Sequence, residues 1–258
     1  ENQILKNKNV RMAMSHAFDI EKSIKDNYAK ITIAGREESV ASRLNGPFNP
    51  LWGLGDDEID PIEYNIAKAN ELLDNAGLTP SKKSGYRTYK KKKVSLRLFF
   101  NSGRFPSGST ELSMLNMFIT SMDKIGIEIN SQGIDANTYR TIIKDSNKYD
   151  LLFENKHFGW GSNIAPLFTK GNEHNTSRFH DPYLTGYLNM LNKTTVSKER
   201  INISKEIHKY VHERAPYIWL YRLDMIMTYR KELVIDVQED IVPKLIFTHI
   251  ANWYFDIE

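Results

Sequence analysis

Apolar periodicity switches repeatedly between Val94 and Asn155, and that alternation constrains this chain more than any other feature. Val94, Leu96, Leu98 and Phe100 recur at every second residue, as in a half-buried strand. Thr110 to Ile125 carries Leu112, Leu115, Phe118, Ile119 and Met122 at helical spacing and is closed by Gly126. Ile127 and Ile129 begin a second strand, Thr138 to Asp145 reads as a short helix, and Tyr149 to Asn155 as a third strand. This order predicts an α/β fold, a βαβαβ unit with a parallel sheet, right-handed crossovers and flanking helices. Parallel strands end on one edge, and open α/β sheets bind ligands there. The predicted edge gathers Asn101 to Arg104, Gln132 to Asp135, and the turn Phe158-Gly159-Trp160-Gly161-Ser162-Asn163.

That last turn is the strongest candidate for ligand contact. Gly159 and Gly161 let backbone approach a ligand more closely than a Cβ would permit. They also suit an exposed turn, so Trp160 is expected to line a cleft, with core filling as the alternative. Asn101 and Arg104 are candidates for hydrogen bonding a ligand carboxylate, against a plain exposed loop.

Elsewhere the pattern is mostly helical. Val10 to Tyr28 reads as helix, with Asp19 capping a second stretch that carries Ile20 and Ile24. Asn65 caps a helix whose stripe is Ile66, Ala69, Leu72, Leu73 and Ala76, and Gly77 stops it. Asp181-Pro182 opens a helix through Leu191; Lys198 to Arg214 forms another, ending before Pro216. Tyr217 to Leu223 reads as an aromatic strand. Gly35 to Pro61 is a long irregular stretch in which Phe48, Leu51 and Trp52 need something to pack on. From Arg230 onward only short β-like pieces such as Leu233-Val234-Ile235 remain, so the expected division is 1–229 and a separate segment 230–258.

Composition narrows the function. The 258 residues are 40% hydrophobic and 26% charged, ordinary for a globular chain with a sizeable core. No run is long enough to span a membrane and no signal peptide is visible; Glu1 opens directly onto helix-like sequence, as in an excised piece whose export signal could lie upstream. Zero cysteines exclude disulfides and thiolate metal sites. A net charge of +3 does not point to nucleic acid. The basic cluster, Lys82, Lys83, Arg87 and Lys90 to Lys93, reads as a solvated loop, with a polyanion site as the rival reading.

Five segments between Val10 and Ile218 resemble, in order, the extracytoplasmic solute-binding proteins of peptide and nickel importers, family 5. These are Val10-Arg11-Met12-Ala13 through Asp19, Asn45-Gly46-Pro47, Tyr64-Asn65 through Ala76-Gly77, Tyr149-Asp150 through Gly159-Trp160, and Arg200 through Ala215-Pro216-Tyr217-Ile218. The resemblance implies the second lobe of a type II periplasmic-binding-protein-like fold, with residues 230–258 returning toward a first lobe. It implies capture of a peptide-like solute between two lobes and delivery to an ABC transporter permease. A monomer outside the cytoplasm, with no cofactor and no metal, is expected; any membrane association would run through an upstream lipid anchor. In the peptide binders an aspartate follows the cleft tryptophan by three residues and pairs with the ligand's amino group. Here Asn163 stands there, which weakens the case for a free peptide N-terminus; Glu154 is the candidate to supply the missing charge.

Two other classes compete with this one. The same lobe could serve as the sensor of a regulator. A metal-dependent hydrolase would need its histidines: His208 and His212 are four apart on a helix, but Glu213 is misplaced for a metalloprotease and both are expected on a solvated face. His157, His174 and His180 fall in loops with no spacing that demands a metal. Neither elbow glycine surrounds Ser107, and no Walker or dinucleotide-binding glycine pattern occurs, so an enzyme is the poorer reading.

Overall fold

A computed structural model describes residues 2–28, 30–33, 36–49, 53–145, 147–156, 163–223, 233–234 and 254–255. Its helices are α1 (Gln3–Lys6), α2 (Lys8–Ala17), α3 (Ile20–Asn27), α4 (Ile66–Asn75), α5 (Thr110–Lys124), α6 (Ala136–Ile142), α7 (Pro182–Lys193) and α8 (Ser197–Arg214). The strands before the central sheet are β1 (Lys30–Ile33), β2 (Arg36–Ser39), β3 (Ala41–Arg43), β4 (Thr79–Pro80), β5 (Arg87–Tyr89) and β6 (Lys92–Lys93). The sheet itself is β7 (Ser95–Asn101), β8 (Glu128–Ile134) and β9 (Leu151–Phe153), followed by β10 (Tyr221–Leu223), β11 (Leu233–Val234) and β12 (Tyr254–Phe255).

Strand β7 lies between β8 and β9 and pairs with both in parallel, Leu96 facing Ile129 and Phe99 facing Leu152. The α/β class and parallel order expected from periodicity are therefore the ones found. Leu96, Leu98 and Phe100 are buried on one face, where α5 supplies Met114, Leu115, Phe118 and Met122. Helices α2, α3 and α4 complete that core through Val10, Met14, Phe18, Ile24, Ala69 and Leu73. A second apolar cluster joins α7 and α8 through Leu184, Leu188, Leu191, Ile207 and Val211, with Phe168 and Phe48.

The helix ends follow from their residues. Asn65 accepts from the Lys68 amide at 2.9 Å, and Asp135 caps α6 through the Asn137 and Thr138 amides. Helices α4 and α5 end in the same two-bond closure. Leu78 N–H donates to Leu73 and Gly77 N–H to Asp74; Ile127 N–H donates to Met122 and Gly126 N–H to Asp123. Gly77 and Gly126 sit at φ +76 and +75, where a side chain would strain the backbone.

Two polar clamps fix α8. Arg11, on α2, donates to the carbonyls of Arg214 and Ala215 at 2.6 and 3.0 Å, and to Leu5 and Lys6 at 2.8 and 3.0 Å. A fixed cation thus satisfies carbonyls that the end of α8 leaves without helical partners. His208 is the second clamp, and here the expectation of a solvated face fails. It is 2% exposed, its Nδ1 accepts from the Asp56 amide at 2.9 Å, and its Nε2 faces the Asn45 carbonyl at 3.2 Å. Those partners select the neutral Nε2–H tautomer. Gly46 is required beside it, because a Cβ there would stand 2.2 Å from Nε2. Phe48, 2% exposed, packs in the same place, so it does anchor the long loop as expected. Trp52 and Leu51 lie outside the described residues.

Other differences are local. Within the basic cluster, Lys90 and Lys91 form the exposed tip of the β5–β6 hairpin. Arg87, grouped with that basic cluster by sequence, is 4% exposed and bonds Asp74 at 2.6 Å, Ile125 O at 2.9 Å and Asn70 at 2.8 Å. The stretch expected to be irregular contains β2 and β3, and β3 pairs antiparallel with β10. Only Tyr221–Leu223 of the expected aromatic strand is extended in a sheet. In the C-terminal segment, β11 and β12 pair antiparallel; its other residues lie outside those described.

Two stability predictions come from the clamps. Burial lowers the His208 pKa from its ordinary 6.5, and nearby His212 acts in the same direction, against the Asn45 bond and the charges of Asp56 and Asp57. A histidine held neutral in the fold stabilises it above its unfolded pKa and loses that contribution as pH falls. The melting temperature should therefore drop between about pH 7.5 and about pH 5.5, and His208→Gln should flatten that slope while lowering the melt throughout. Equal slopes in both proteins would refute the assignment. Arg11→Lys keeps the charge but loses the fork, and urea unfolding should show a loss of about 2 kcal/mol; a change below about 0.5 kcal/mol would mean the clamp is ornamental.

Candidate functional site

The three loops at the carboxyl edge of the sheet are tied into one surface. After β7, the Asn101 side-chain oxygen accepts from the Gly103 and Arg104 amides at 3.0 and 3.3 Å, folding the turn. Ser102 reaches the second loop, its amide and hydroxyl donating to the Ile134 carbonyl at 2.9 and 3.1 Å. Phe105 meets Phe153 of β9 with ring centroids 5.0 Å apart, joining the first loop to the third. Tyr139 of α6 donates to Glu154 at 2.7 Å, joining the second to the third.

Glu154 is the centre of this arrangement. Besides Tyr139, its carboxylate accepts from Thr176 Oγ1 at 2.6 Å and pairs with Lys156 Nζ at 2.8 Å. Its side chain is 14% exposed and that of Lys156 20%. Burial and the neighbouring carboxylate push the Tyr139 hydroxyl well above the ordinary phenol range. Tyr149, just before β9, donates to the Thr176 carbonyl at 2.8 Å and receives the Arg178 guanidinium at 3.2 Å. Asp150 accepts from the Arg97 amide at 2.8 Å and from Asn2 at 3.2 Å. Burial would raise its pKa, but these donors and the Arg97 charge hold it below the ordinary carboxylate value. The Tyr149-Asp150 pair thus fastens β9 in register rather than facing a ligand.

The predicted site residues divide accordingly. Asn101, Arg104, Glu154 and Asn163 lie in the described part; Phe158, Gly159, Trp160, Gly161 and Ser162 lie outside the described residues, as does His157. Asn101 spends its carbonyl oxygen on its own turn. The Arg104 side chain is exposed and makes no hydrogen bond or ion pair among the described residues. Asn163 is exposed and its Oδ1 accepts from the Ala165 amide at 3.1 Å, starting the short helix Ala165–Leu167. Sequence reasoning missed Tyr139, Lys156 and Thr176. Tyr139 carried a usable signal, an aromatic residue placed on the first turn of the helix after β8. Lys156 and Thr176 carried none, since only the fold brings them to Glu154. No cluster of metal-binding side chains occurs among the described residues.

Comparison with known proteins gives this frame its relatives. The family model described as bacterial extracellular solute-binding proteins, family 5 middle, matches residues 1–176. The oligopeptide-binding protein AppA of Bacillus subtilis is 24% identical over 244 residues, covering 86% of this chain and 39% of that protein. Heme-binding protein A of Haemophilus influenzae is 25% identical over 221 residues, covering 82% of this chain and 36% of its own length. The structure of Bacillus subtilis AppA in complex with a nonapeptide superposes with a TM-score of 0.73 at 20% identity, covering 98% of this chain and 48% of that one. The chain therefore spans less than half the length of these relatives. With a family model matched over most of its residues and the same fold beneath it, the chain belongs to the bacterial extracellular solute-binding proteins of family 5.

Proposed function

We propose that this chain is one ligand-binding lobe of the solute-binding component of an ABC importer, working outside the cytoplasm. The observation that carries the reading is the carboxyl edge itself, where the loops after β7, β8 and β9 are bonded into one surface. Residues 1–229 form the lobe and 230–258 return to its partner lobe. The solute is peptide-like or a small molecule of similar polarity, consistent with relatives named for an oligopeptide and for heme. The turn Phe158 to Asn163 supplies an aromatic platform and backbone donors, and Arg104 a cation for a ligand carboxylate. Closure is a hinge motion driven by contacts that exist only when both lobes touch the solute. The closed complex is then presented to a permease, and no chemical step is needed. A lipid anchor upstream would hold the protein at the membrane.

Glu154 enters this reading in a revised role. With Tyr139, Thr176 and Lys156 already on its carboxylate, it accepts a ligand ammonium only by exchanging Lys156 for it. The frame comes first, so Glu154→Gln should destabilise the chain by about 1–3 kcal/mol in denaturant unfolding. A neutral result would remove it from the frame and return it to the ligand.

Half of a micromolar binding free energy of about −8 kcal/mol corresponds to only about millimolar affinity. Amide-resolved NMR titration of this chain with a hexapeptide mixture should therefore show weak, fast-exchanging shifts at residues 101–104, 154–156 and 163. Shifts confined to the opposite end of β7, or micromolar binding by this chain alone, would overturn the two-lobe reading.

A further inference from the structure

The charge of this chain is strongly segregated. Between Asn75 and Thr110 there are nine Lys and Arg residues and no Asp or Glu, so the remaining residues are net −6 within a total of +3. Most of this charge is mounted on the three-stranded antiparallel sheet β4–β5–β6, which stands at the amino end of β7, away from the candidate site. The mount is rigid. Arg87 ties β5 to α4 through Asp74 and Asn70 and to the end of α5 through Ile125, and its amide donates to Gly126 at 2.7 Å.

At the tip, Lys90 and Lys91 occupy φ +49 and +64. A two-residue hairpin turn of this kind favours Asn-Gly, and branched or long side chains fit it poorly. Two consecutive lysines are thus held in an unfavourable backbone conformation where an uncharged turn would fold better. Local acids account for only part of the charge: Asp74 pairs with Arg87, Glu128 with Lys93 at 2.6 Å, and Asp123 lies against Tyr86. Lys82, Lys83, Lys90, Lys91 and Lys92 are exposed and form no ion pair among the described residues. The Lys93 ammonium lies 3.7 Å from the centroid of the Tyr86 ring and the Lys90 ammonium 5.3 Å from that of Tyr89, so each has an aromatic face beside it.

We propose that this lysine-tipped hairpin is a docking element for an anionic lipid surface, set at the end of the lobe opposite the ligand edge. A bilayer rich in anionic headgroups is the occupant that fits: it is flat, densely charged and needs no shape complementarity from a protruding tip. Lysines near such a surface each raise affinity about fivefold. Docking through this end leaves the carboxyl-edge loops free to meet their partner lobe and solute.

Co-sedimentation of the chain with vesicles of phosphatidylglycerol and phosphatidylcholine, against phosphatidylcholine alone, tests the proposal. Binding should require the anionic lipid and vanish at about 0.5 M salt, where screening shortens the reach of charge to a few ångström. The triple variant K90N/K91G/K92Q should bind about a hundredfold more weakly. Because K90N and K91G install the preferred turn, its melting temperature should equal or exceed that of the parent. The triple arginine variant K90R/K91R/K92R should retain binding. Equal sedimentation of parent and K90N/K91G/K92Q, equal sedimentation with neutral vesicles, or binding only to soluble polyphosphate would each overturn it.

Discussion

Strand β7 is hydrogen-bonded on both sides to strands running its own way, and the rest of the lobe is a consequence. A parallel neighbour cannot be reached by a tight turn, so each pairing forces the chain to cross over the sheet and return. Helix α5 makes the first return and covers the face bearing Leu96, Leu98 and Phe100. The same constraint sends all three carboxyl ends to one edge. The loops of the candidate site gather there because of strand direction, before any loop residue has been chosen.

Charged and polar side chains then do much of the fastening. Arg11, Arg87, Asp150 and His208 each join segments remote in sequence, and each bonds backbone amides or carbonyls rather than only another charge. Such bonds hold loops to helices without requiring shape-matched apolar contact, and a missing partner leaves a buried polar group unsatisfied. Arg11 and the Tyr149-Asp150 pair, which carry part of the resemblance read from the sequence, belong to this fastening.

What could be read from the sequence depended on how local its cause was. Strands of period two, helix stripes, the caps Asp19 and Asn65, and the stops Gly77 and Gly126 all depend on residues a few positions apart, and all are found. His208 was assigned to a solvated face because its helix neighbours suggest one. Its burial is imposed by a loop more than 150 positions away, through Asp56 and Asn45. Arg87 likewise looked like one more surface cation, until α4 and α5 closed around it. Glu154 was visible as a charge near a strand end, but Thr176 and Lys156, which engage it, were not.

The candidate site and the basic hairpin stand at opposite ends of one strand, which separates them by distance. The hairpin's exposed lysines act through screened charge with a reach of about 10 Å at ordinary ionic strength, whereas β7 alone spans roughly 23 Å at about 3.3 Å per residue. Charge at the hairpin therefore contributes little to the field at Arg104 or Glu154. Residues at the carboxyl edge can change while the basic end stays as it is. The converse also holds, since the Arg87 anchor lies below the hairpin and outside the Tyr139, Glu154 and Thr176 network. One rigid strand thus lets the two ends vary independently.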